Sequence, residues 1–400
     1  MNLKKTLLVI SAAVVLLGII SAAGCVDSSG STSVKEHSNL GNTADVIDSV
    51  QKLTGDENTV ISDLSLNMAL GMVLTGADNT CREELETFLN ISKEDNTGLN
   101  RELLDHYKSF SKTNVSLVNS FWFDKEFNLQ TAYKDTIKKY FDAEIAQYDF
   151  KDEKTAGIIN SWCAEKTNNL IKEIVTKEQV YEASNILINT VYLNGEWVEP
   201  FEDGNCRTES FKGLKETTDV TMMHSTESTY FENDKATAFK KPYSDGISFI
   251  GILPKTEGDF TMNSLDLESL LESKTQEYDV YTGLPAFKTE CSMDLADTLK
   301  TLGFSNVFSD EADTFDEIGR TTDNCPIKIS DIIQKTYIDV NKNGTEAAAA
   351  TAVIMMKVTS IDVNQKETKN VILNRPFAFL ILDESNGQIL FAGKITGIKA

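Results

Sequence analysis

The residues best suited to chemistry in this chain form a segment that can change its secondary structure, and they do not form a catalytic centre. Asn343 and Gly344 are followed by two threonines and a block of alanines, and then by the apolar run from Val353 to Met356. With the two-residue period of a β-strand, one face of the segment is small or apolar, and it consists of Thr345, Ala347, Ala349, Thr351, Val353 and Met355. Glu346 lies on the other face. The alanines alone favour a helix, but the flanking sequence favours a strand that could be buried in a sheet.

The sequence contains few histidines, and it lacks the residue patterns that enzymes commonly use for catalysis. The three histidines, His37, His106 and His224, include no pair with the spacing of metal ligands on a helix. The sequence has neither a Gly-x-Ser-x-Gly nucleophile elbow nor a phosphate-binding Walker loop. We therefore expect no enzyme activity, no metal site and no cofactor.

The segments on either side predict strands that flank an exposed loop. Residues 327–340 are rich in β-branched and aromatic residues and partly alternate, as a long strand does. Residues 359–369 are polar and show no periodicity. Asn386-Gly387 then predicts a type I′ turn between strands at 374–382 and 388–395. A loop of about twenty residues between two strands is usually functional.

Predicted helices concentrate in the first half of the chain and predicted strands in the second half, which indicates an α+β protein. Apolar periodicity predicts helices at Asp45 to Leu53, Ser65 to Leu74, Arg82 to Leu89, Leu129 to Tyr140, Ala156 to Ile171 and Met293 to Leu302. Asp245-Gly246 predicts a further hairpin.

This order of segments resembles the serpin family. In serpins a long strand leads into a Gly-Thr-Glu-Ala-Ala hinge, an exposed reactive-centre loop and an Arg-Pro-Phe strand pair, which match Gly344 to Ala348 and Arg375 to Phe377 here. Other segments match family landmarks in the same order, namely Asn58 to Gly76, Asn119 to Phe123, Ile159 to Ile171, Asn189 to Trp197 and Leu299 to Phe304. The resemblance covers about residues 45 to 398.

The resemblance implies a serpin fold with three β-sheets, about eight or nine helices and a reactive-centre loop at about residues 342–368. It implies a suicide inhibitor of serine endopeptidases, whose cleaved loop enters the main sheet and traps the acyl-enzyme. The hinge comprises Gly344, Thr345, Glu346, Ala347, Ala348, Ala349, Ala350, Thr351 and Ala352. We expect Thr345 to be the first side chain that turns inward, so that a charge placed there would block insertion and leave the fold intact.

Family spacing from the hinge places the scissile bond at Val358-Thr359. A shift of one residue gives Lys357-Val358, and Met356-Lys357 is a further alternative. Valine before the cut suits an elastase-like pocket, whereas lysine suits a trypsin-like pocket.

The resemblance also assigns residues that control opening of the main sheet, and some of them depart from the family pattern. The assigned residues are Ser62, Ser65, Asn189, Trp197 and Gln334. Gln334 replaces a histidine that usually bonds Ser65 and Asn189, and an amide can donate and accept in its place with less pH sensitivity. Asp63 replaces a proline. Lys342 and Ala286 replace a Glu and a Lys that usually form an ion pair, so both partners are absent together.

The N-terminus predicts export and a lipid anchor. Lys4-Lys5 precede an uncharged apolar region from Leu7 to Ile20 and then small residues before Cys25, so residues 1–24 read as a lipoprotein signal peptide. The alternative is a transmembrane anchor, but spanning needs about 20 apolar residues. The resemblance to a prokaryotic lipobox makes Cys25 the lipidated residue, with a flexible tether at 25–44 and the serpin domain at 45–400. Pairing among the five remaining cysteines stays open.

The net charge of the chain limits the classes of molecule that it can bind. The formal net charge of −23 argues against nucleic acid, because a phosphate backbone requires a basic face. We expect an extracytoplasmic monomer whose partners are a serine endopeptidase and, through Cys25, a membrane. The alternatives are a non-inhibitory surface lipoprotein with a binding or structural role, and an inhibitor of cysteine proteases.

Overall fold

The computed structural model describes residues 39–309, 315–345 and 366–399. In that part of the chain the helices are α1 (Leu40–Thr54), α2 (Asp63–Thr75), α3 (Asn79–Leu89), α4 (Lys93–Lys108), α5 (Thr131–Phe141), α6 (Thr155–Lys166), α7 (Lys177–Glu182), α8 (Leu267–Glu272) and α9 (Ala296–Thr301).

The first nine strands are β1 (Thr59–Ile61), β2 (Asn114–Asp124), β3 (Phe127–Leu129), β4 (Glu144–Tyr148), β5 (Asn185–Glu196), β6 (Cys206–Lys212), β7 (Thr217–Glu227), β8 (Tyr230–Glu232) and β9 (Ala236–Pro242). The others are β10 (Ile247–Pro254), β11 (Tyr278–Pro285), β12 (Phe287–Asp294), β13 (Gly319–Thr321), β14 (Asp331–Asn341), β15 (Gly344–Thr345), β16 (Glu367–Ile372), β17 (Phe377–Asp383) and β18 (Ile389–Ile395).

Three large sheets organise the described residues, together with a two-stranded pair of β13 and β3. The sheet with the order β12-β14-β15-β5-β2-β4 is called the main sheet below. A second six-stranded sheet has the order β1-β18-β17-β10-β9-β8, and a four-stranded sheet has the order β16-β11-β7-β6. The α+β class is confirmed.

Each face of the main sheet packs on a different layer. On one face lies the large core, which includes α2, a helix buried on nearly all sides between Leu64 and Leu74. On the other face α6 packs through Ile159 and Cys163 against Ile186 of β5 and Ile333 of β14.

Several predicted boundaries were wrong. Leu40 already begins α1, because Asn39 caps its N-terminus, so residues 40–44 are helical and do not belong to a tether. The helix predicted to reach Ile171 ends at Lys166. Met293 belongs to β12, and α9 begins only at Ala296.

The two predicted hairpins have different outcomes. Asp245 and Gly246 both adopt positive φ, 56° and 79°, as a tight turn between β9 and β10 requires. At the other hairpin only Gly387 has positive φ, and the turn closes between Asp383 and Gln388. The hairpin between β17 and β18 therefore forms, but the predicted type I′ turn at Asn386-Gly387 is wrong.

The first residue of β14 should make stability depend on pH. Burial raises the pKa of Asp331 to about 7, and the carboxylate of Asp294 adds to that effect. The folded state then holds this proton more tightly than the unfolded state, so the free energy of unfolding should rise as the pH falls from about 8 to about 5. Asp331→Asn should therefore be more stable than wild type at pH 8, and the difference should narrow as the pH falls and disappear only below about pH 4, where an unfolded aspartate is also protonated, as measured by urea unfolding. Exposed Asp234 provides the control Asp234→Asn, and parallel pH profiles for wild type and Asp331→Asn would contradict the prediction.

Candidate functional site

The hinge begins at the junction between β14 and β5, the line along which these two strands face each other. Residues 331–336 of β14 pair in parallel with residues 186–191 of β5. Farther along, β15 lies between the two strands, where Thr345 pairs with Val340 on one side and with Gly195 on the other. The strands therefore diverge beyond their parallel pairing, and β15 occupies the far end of the gap.

The start of β15 requires a glycine. A Cβ atom on Gly344 would lie 2.0 Å from the carbonyl oxygen of Gly195, and its φ of 157° is one that side chains rarely adopt. Gly195 is itself close to its neighbours, because a Cβ there would lie 3.2 Å from Thr113 Cγ2 and 3.3 Å from Tyr243 Cδ1. The two glycines thus let β15 approach the backbone of β5.

Thr345 is already inside the sheet. Its residue exposure is 1%, and its hydroxyl lies 2.5 Å from the hydroxyl of Tyr243. Burial raises the pKa of the Tyr243 phenol, so this group keeps its proton and can donate to Thr345. The expectation that a charge at Thr345 would leave the fold intact is therefore wrong, because such a charge would be buried in the uncleaved protein.

Trp197 fixes the turn that connects β14 to β15. Its indole Nε1 donates to the carbonyl of Asn341 at 2.9 Å, and its backbone N–H donates to the carbonyl of Asn343 at 2.9 Å. Phe201 N–H donates to the carbonyl of Lys342 at 2.9 Å. The ring of Trp197 stacks on Tyr243 with centroids 4.0 Å apart. Trp197 therefore connects the turn to the side chain that contacts Thr345.

Lys342 has a partner other than the one usual in the family. Its ammonium group pairs with the carboxylate of Asp203, which is exposed at the surface. Ala286, at the position of the usual partner, is half-buried and packs against the core. The turn thus keeps an ion pair, although the two positions of the usual pair have both changed.

Gln334 reaches the N-terminus of α2 through two backbone hydrogen bonds. Its Oε1 accepts from Ser62 N–H at 2.9 Å, and its Nε2 donates to the Ser62 carbonyl at 2.9 Å. Both residues are buried. The family's histidine usually bonds Ser65 and Asn189, whereas the described bonds of this glutamine side chain go to the main chain of Ser62.

Ser65 and Asn189 form a separate branch. The Ser65 hydroxyl donates to Asn189 Oδ1, and Asn189 Nδ2 donates to Asn119 Oδ1. Asn119 Nδ2 then donates to the carbonyl of Phe141 at 2.9 Å. The N-terminus of α2 consequently contacts both strands of the junction, β14 through Ser62 and β5 through Ser65.

Asp63 is buried but well supplied with donors. Thr43 Oγ1 donates to it at 2.8 Å, Asn67 Nδ2 at 2.9 Å and Gln388 Nε2 at 3.2 Å. It is also the first residue of α2, where the helix dipole favours a negative charge. These contacts allow an aspartate at the position usually held by proline.

The other predicted site residues lie outside the described residues. They are Glu346, Ala347, Ala348, Ala349, Ala350, Thr351 and Ala352 of the hinge, Met356, Lys357, Val358 and Thr359 around the scissile bond, and Cys25. Their assignments remain predictions.

Each of the two described histidines lies beside one carboxylate. His106 Nε2 lies 2.6 Å from buried Asp383, and His224 Nε2 lies 2.8 Å from Glu209.

Residues 39–309, 315–345 and 366–399 contain no group of three or more His, Cys, Asp or Glu that could hold a metal ion. The same ranges contain no helix with the length and hydropathy of a membrane span. Cys163, Cys206, Cys291 and Cys325 in these ranges form no disulfide with one another.

Sequence reasoning missed Tyr243 and Gly195 as functional residues. Tyr243 follows β9 at the Asp245-Gly246 hairpin, a position that predicts a turn and gives no sign of the distant contact with Thr345. The available signal was Gly195 itself, since a glycine inside a strand often marks a place where another backbone approaches closely.

Comparison with known sequences agrees with the resemblance to serpins. The profile of the serpin (serine protease inhibitor) family matches residues 38–398. An uncharacterized serpin-like protein of Thermococcus kodakarensis is 32% identical over 367 residues, which cover 88% of this chain and 84% of that protein. Human neuroserpin is 30% identical over 364 residues, which cover 85% of this chain and 86% of that protein.

Structural comparison gives the same family. The native-state crystal structure of tengpin, a thermophilic serpin, superposes with a TM-score of 0.79 and 30% identity, covering 91% of this chain and 96% of tengpin. Serpin48 of the insect Tenebrio molitor superposes with a TM-score of 0.78 and 26% identity, covering 90% of this chain and 97% of that one.

The contacts of Gln334 yield a stability prediction. Gln334→Met should leave the buried N–H and C=O of Ser62 without this partner and lower the free energy of unfolding by about 3 kcal/mol. Gln147→Met is the control, because Gln147 donates a single hydrogen bond, to Phe127 O on a sheet edge, and should cost about 1 kcal/mol. Urea unfolding measures both, and equal losses would contradict the role assigned to Gln334.

Proposed function

Because the chain belongs to the serpin family, we propose that it is a suicide inhibitor of serine endopeptidases that inserts its cleaved reactive-centre loop into the main sheet. Insertion of this loop as a strand is a general property of the family. The observation that carries the proposal for this chain is the position of β15, since Thr345 already pairs with Val340 and Gly195.

Continuing that register gives the position of each inserted residue. Antiparallel pairing on both sides would place Ala349 between Thr336 and Val191, and Ala350 between Lys335 and Thr190. Odd-numbered residues would share the core face with Thr345, where Ala347, Ala349, Thr351 and Val353 are all small or apolar. About ten new backbone hydrogen bonds at about 1 kcal/mol each supply on the order of 10 kcal/mol to drive insertion.

The proposed reaction begins as ordinary proteolysis. The protease serine attacks the carbonyl carbon of Val358, the C–N bond to Thr359 breaks, and the new amine leaves with a proton supplied by the protease. The residue before the cut remains as an ester on the protease serine. Insertion then carries the protease along and distorts it before water can cleave the ester. Lys357-Val358 and Met356-Lys357 are the alternative bonds, so trypsin and elastase are both suitable test proteases.

Two other functions compete with this proposal. A non-inhibitory serpin-fold lipoprotein would bind partners without trapping a protease, and such a protein needs no hinge that can be buried. The hinge sequence from Gly344 to Ala352 has neither proline nor a bulky residue on its inserting face, which favours inhibition. A cysteine protease would form a thioester instead of an ester, and papain tests this alternative.

The inserting face of the hinge yields a test of the mechanism. In the continued register Thr351 would lie between Gln334 and Asn189 on the core face, so Thr351→Arg should bury a charge there at a cost of several kcal/mol. Each ~1.4 kcal/mol added to the insertion barrier slows insertion tenfold relative to ester hydrolysis. We expect this variant to be cleaved as a substrate, whereas wild type forms a complex that survives SDS gel electrophoresis.

Glu346→Arg is the matched control, because in the continued register residue 346 would lie on the opposite face of the strand, so this variant should keep covalent trapping. Cleaved wild-type protein should also melt at a higher temperature than intact protein, while cleaved Thr351→Arg should gain less. Stoichiometric trapping by Thr351→Arg would show that the loop inhibits without entering the sheet.

We also propose that Cys25 carries a lipid and holds the domain on the outer face of the cell membrane. Cys25→Ser should leave the signal peptide uncleaved or release the protein to the medium. Membrane fractionation and mass spectrometry of the mature N-terminus measure both outcomes. Normal processing with unchanged membrane partition would contradict the lipoprotein assignment.

A further inference from the structure

One buried imidazole ring lies among the strands of the four-stranded sheet β16-β11-β7-β6. It belongs to His224 of β7, which is only 5% exposed and pairs across the sheet with Gly283 of β11. Ile372 of β16 packs over the same glycine. A Cβ atom on Gly283 would lie 3.2 Å from His224 Cε1 and 2.9 Å from Ile372 Cγ2. A change at this ring can therefore be felt by β16.

Both nitrogens of this ring face hydrogen-bond acceptors. Nδ1 lies 3.0 Å from the backbone carbonyl oxygen of Thr282 on β11, and Nε2 lies 2.8 Å from Oε1 of Glu209 on β6. Burial opposes ionisation of Glu209, but hydrogen bonds from Arg207 and His224 outweigh it and lower the pKa of this carboxyl group, so it accepts as a carboxylate. Because a carbonyl oxygen also only accepts, both bonds form only when the ring carries two protons.

The charged and titratable groups around the ring fix its position. On β6, Arg207 Nε donates to Glu209 at 2.6 Å, and Arg207 Nη2 lies 3.4 Å from His224 Nε2. The same Nη2 donates to the hydroxyl of Tyr281 on β11 at 3.2 Å. The ring of Tyr281 stacks on the imidazole with centroids 5.2 Å apart, and the neighbour on β16 is apolar Ile372. The imidazole is therefore held in the plane from which it reaches both acceptors.

Loss of one proton removes one of the two bonds. Histidine ordinarily changes charge between about pH 5 and about pH 8. A carboxylate is the stronger acceptor, so the neutral ring keeps its proton on Nε2, towards Glu209, and no longer donates to Thr282. Thr282 pairs in parallel with Val371 of β16. Among the described residues β16 is an edge strand that pairs with β11 alone, so the bond that is lost supports the strand to which β16 is attached.

We propose that His224 is a pH-dependent clamp, whose charged form connects β11 to β6 and whose neutral form loosens β11 and the edge strand β16. Because β16 begins at Glu367, where the expected reactive-centre loop ends, the clamp makes the attachment of that end of the loop sensitive to pH. This inference goes beyond the proposed function, since it holds whether or not the protein traps a protease.

Hydrogen exchange measured by mass spectrometry tests the clamp in the full-length protein. Each protein compared carries Asp331→Asn, so that the titration in β14 does not contribute, and Asp331→Asn alone is the parent protein. The protection of the peptide that covers β16 is measured at about pH 5.5 and about pH 8 and corrected for the chemical exchange rate. Protection in the parent protein should be about fivefold lower at the higher pH, as the loss of one hydrogen bond predicts.

Two substitutions should remove this pH dependence in opposite directions. His224→Gln cannot form the charged ring with donors on opposite sides, so β16 should be weakly protected at both pH values. Glu209→Gln replaces the carboxylate by an amide that can donate to Nε2, so the neutral ring can keep its proton on Nδ1 and its bond to Thr282. In this variant β16 should be well protected at both pH values. A merely structural role predicts a loss of protection in both variants.

His106→Gln is the matched control. His106 lies beside Asp383 of β17, in another sheet, so this substitution should leave the pH dependence of β16 unchanged. Should His224→Gln not fold, NMR of the ring nitrogens in the parent protein still tests the clamp, because the chain has only three histidines to assign. The neutral ring of His224 should carry its proton on Nε2.

Four results would each overturn the clamp. They are equal protection of β16 at the two pH values in the parent protein, a neutral His224 protonated on Nδ1, an equal loss of protection in Glu209→Gln and His224→Gln, and a loss of the pH dependence in His106→Gln. The proposed function would stand in each case, because none of these measurements involves a protease or an inserted loop.

Discussion

The structure depends on how two parallel strands, β14 and β5, part from each other within a single sheet. Their backbones pair at residues 331–336 and 186–191 and then diverge. Backbone donors and acceptors in a buried sheet are strongly favoured to be paired, so a diverging pair is a place where another strand can be accommodated. The residues of the site surround this junction. Ser62 and Ser65 contact it from the core, Trp197 closes one end, and the segment after α6 covers the opposite face.

The departures from the family pattern change both the chemistry and the partners of these contacts. Gln334 cannot take up a proton in the physiological pH range, so its bonds to Ser62 do not depend on pH in the way that a histidine's would. Lys342 is paired with Asp203 at the surface, where an ion pair contributes little to stability. The contacts that Gln334 makes beside the junction are therefore neutral hydrogen bonds.

The sequence predicted those parts of the fold whose signals are local. The alternation in β14 and the Asp245-Gly246 turn were clear because strand period and positive φ leave direct traces in residue type. Helix α4 was missed because Lys93–Lys108 is largely polar, with its buried apolar positions confined to Leu103, Leu104 and Tyr107. The seating of Thr345 depends on Tyr243, which is 102 residues away, and no local pattern reports such a contact.

If the loop inserts as proposed, the short strand β15 would also affect how fast the rest of the strand forms. The costly step in joining a free chain to a sheet is the first contact, since it fixes several residues for few hydrogen bonds and closes a loop. In this protein that nucleus exists before any bond is cut, because Gly344 and Thr345 are in register with both neighbours. In the proposed mechanism, propagation would start from this fixed origin at a very high effective concentration. Its speed should be insensitive to the length of the polar segment at residues 359–369, because that segment lies beyond the growing end of the strand.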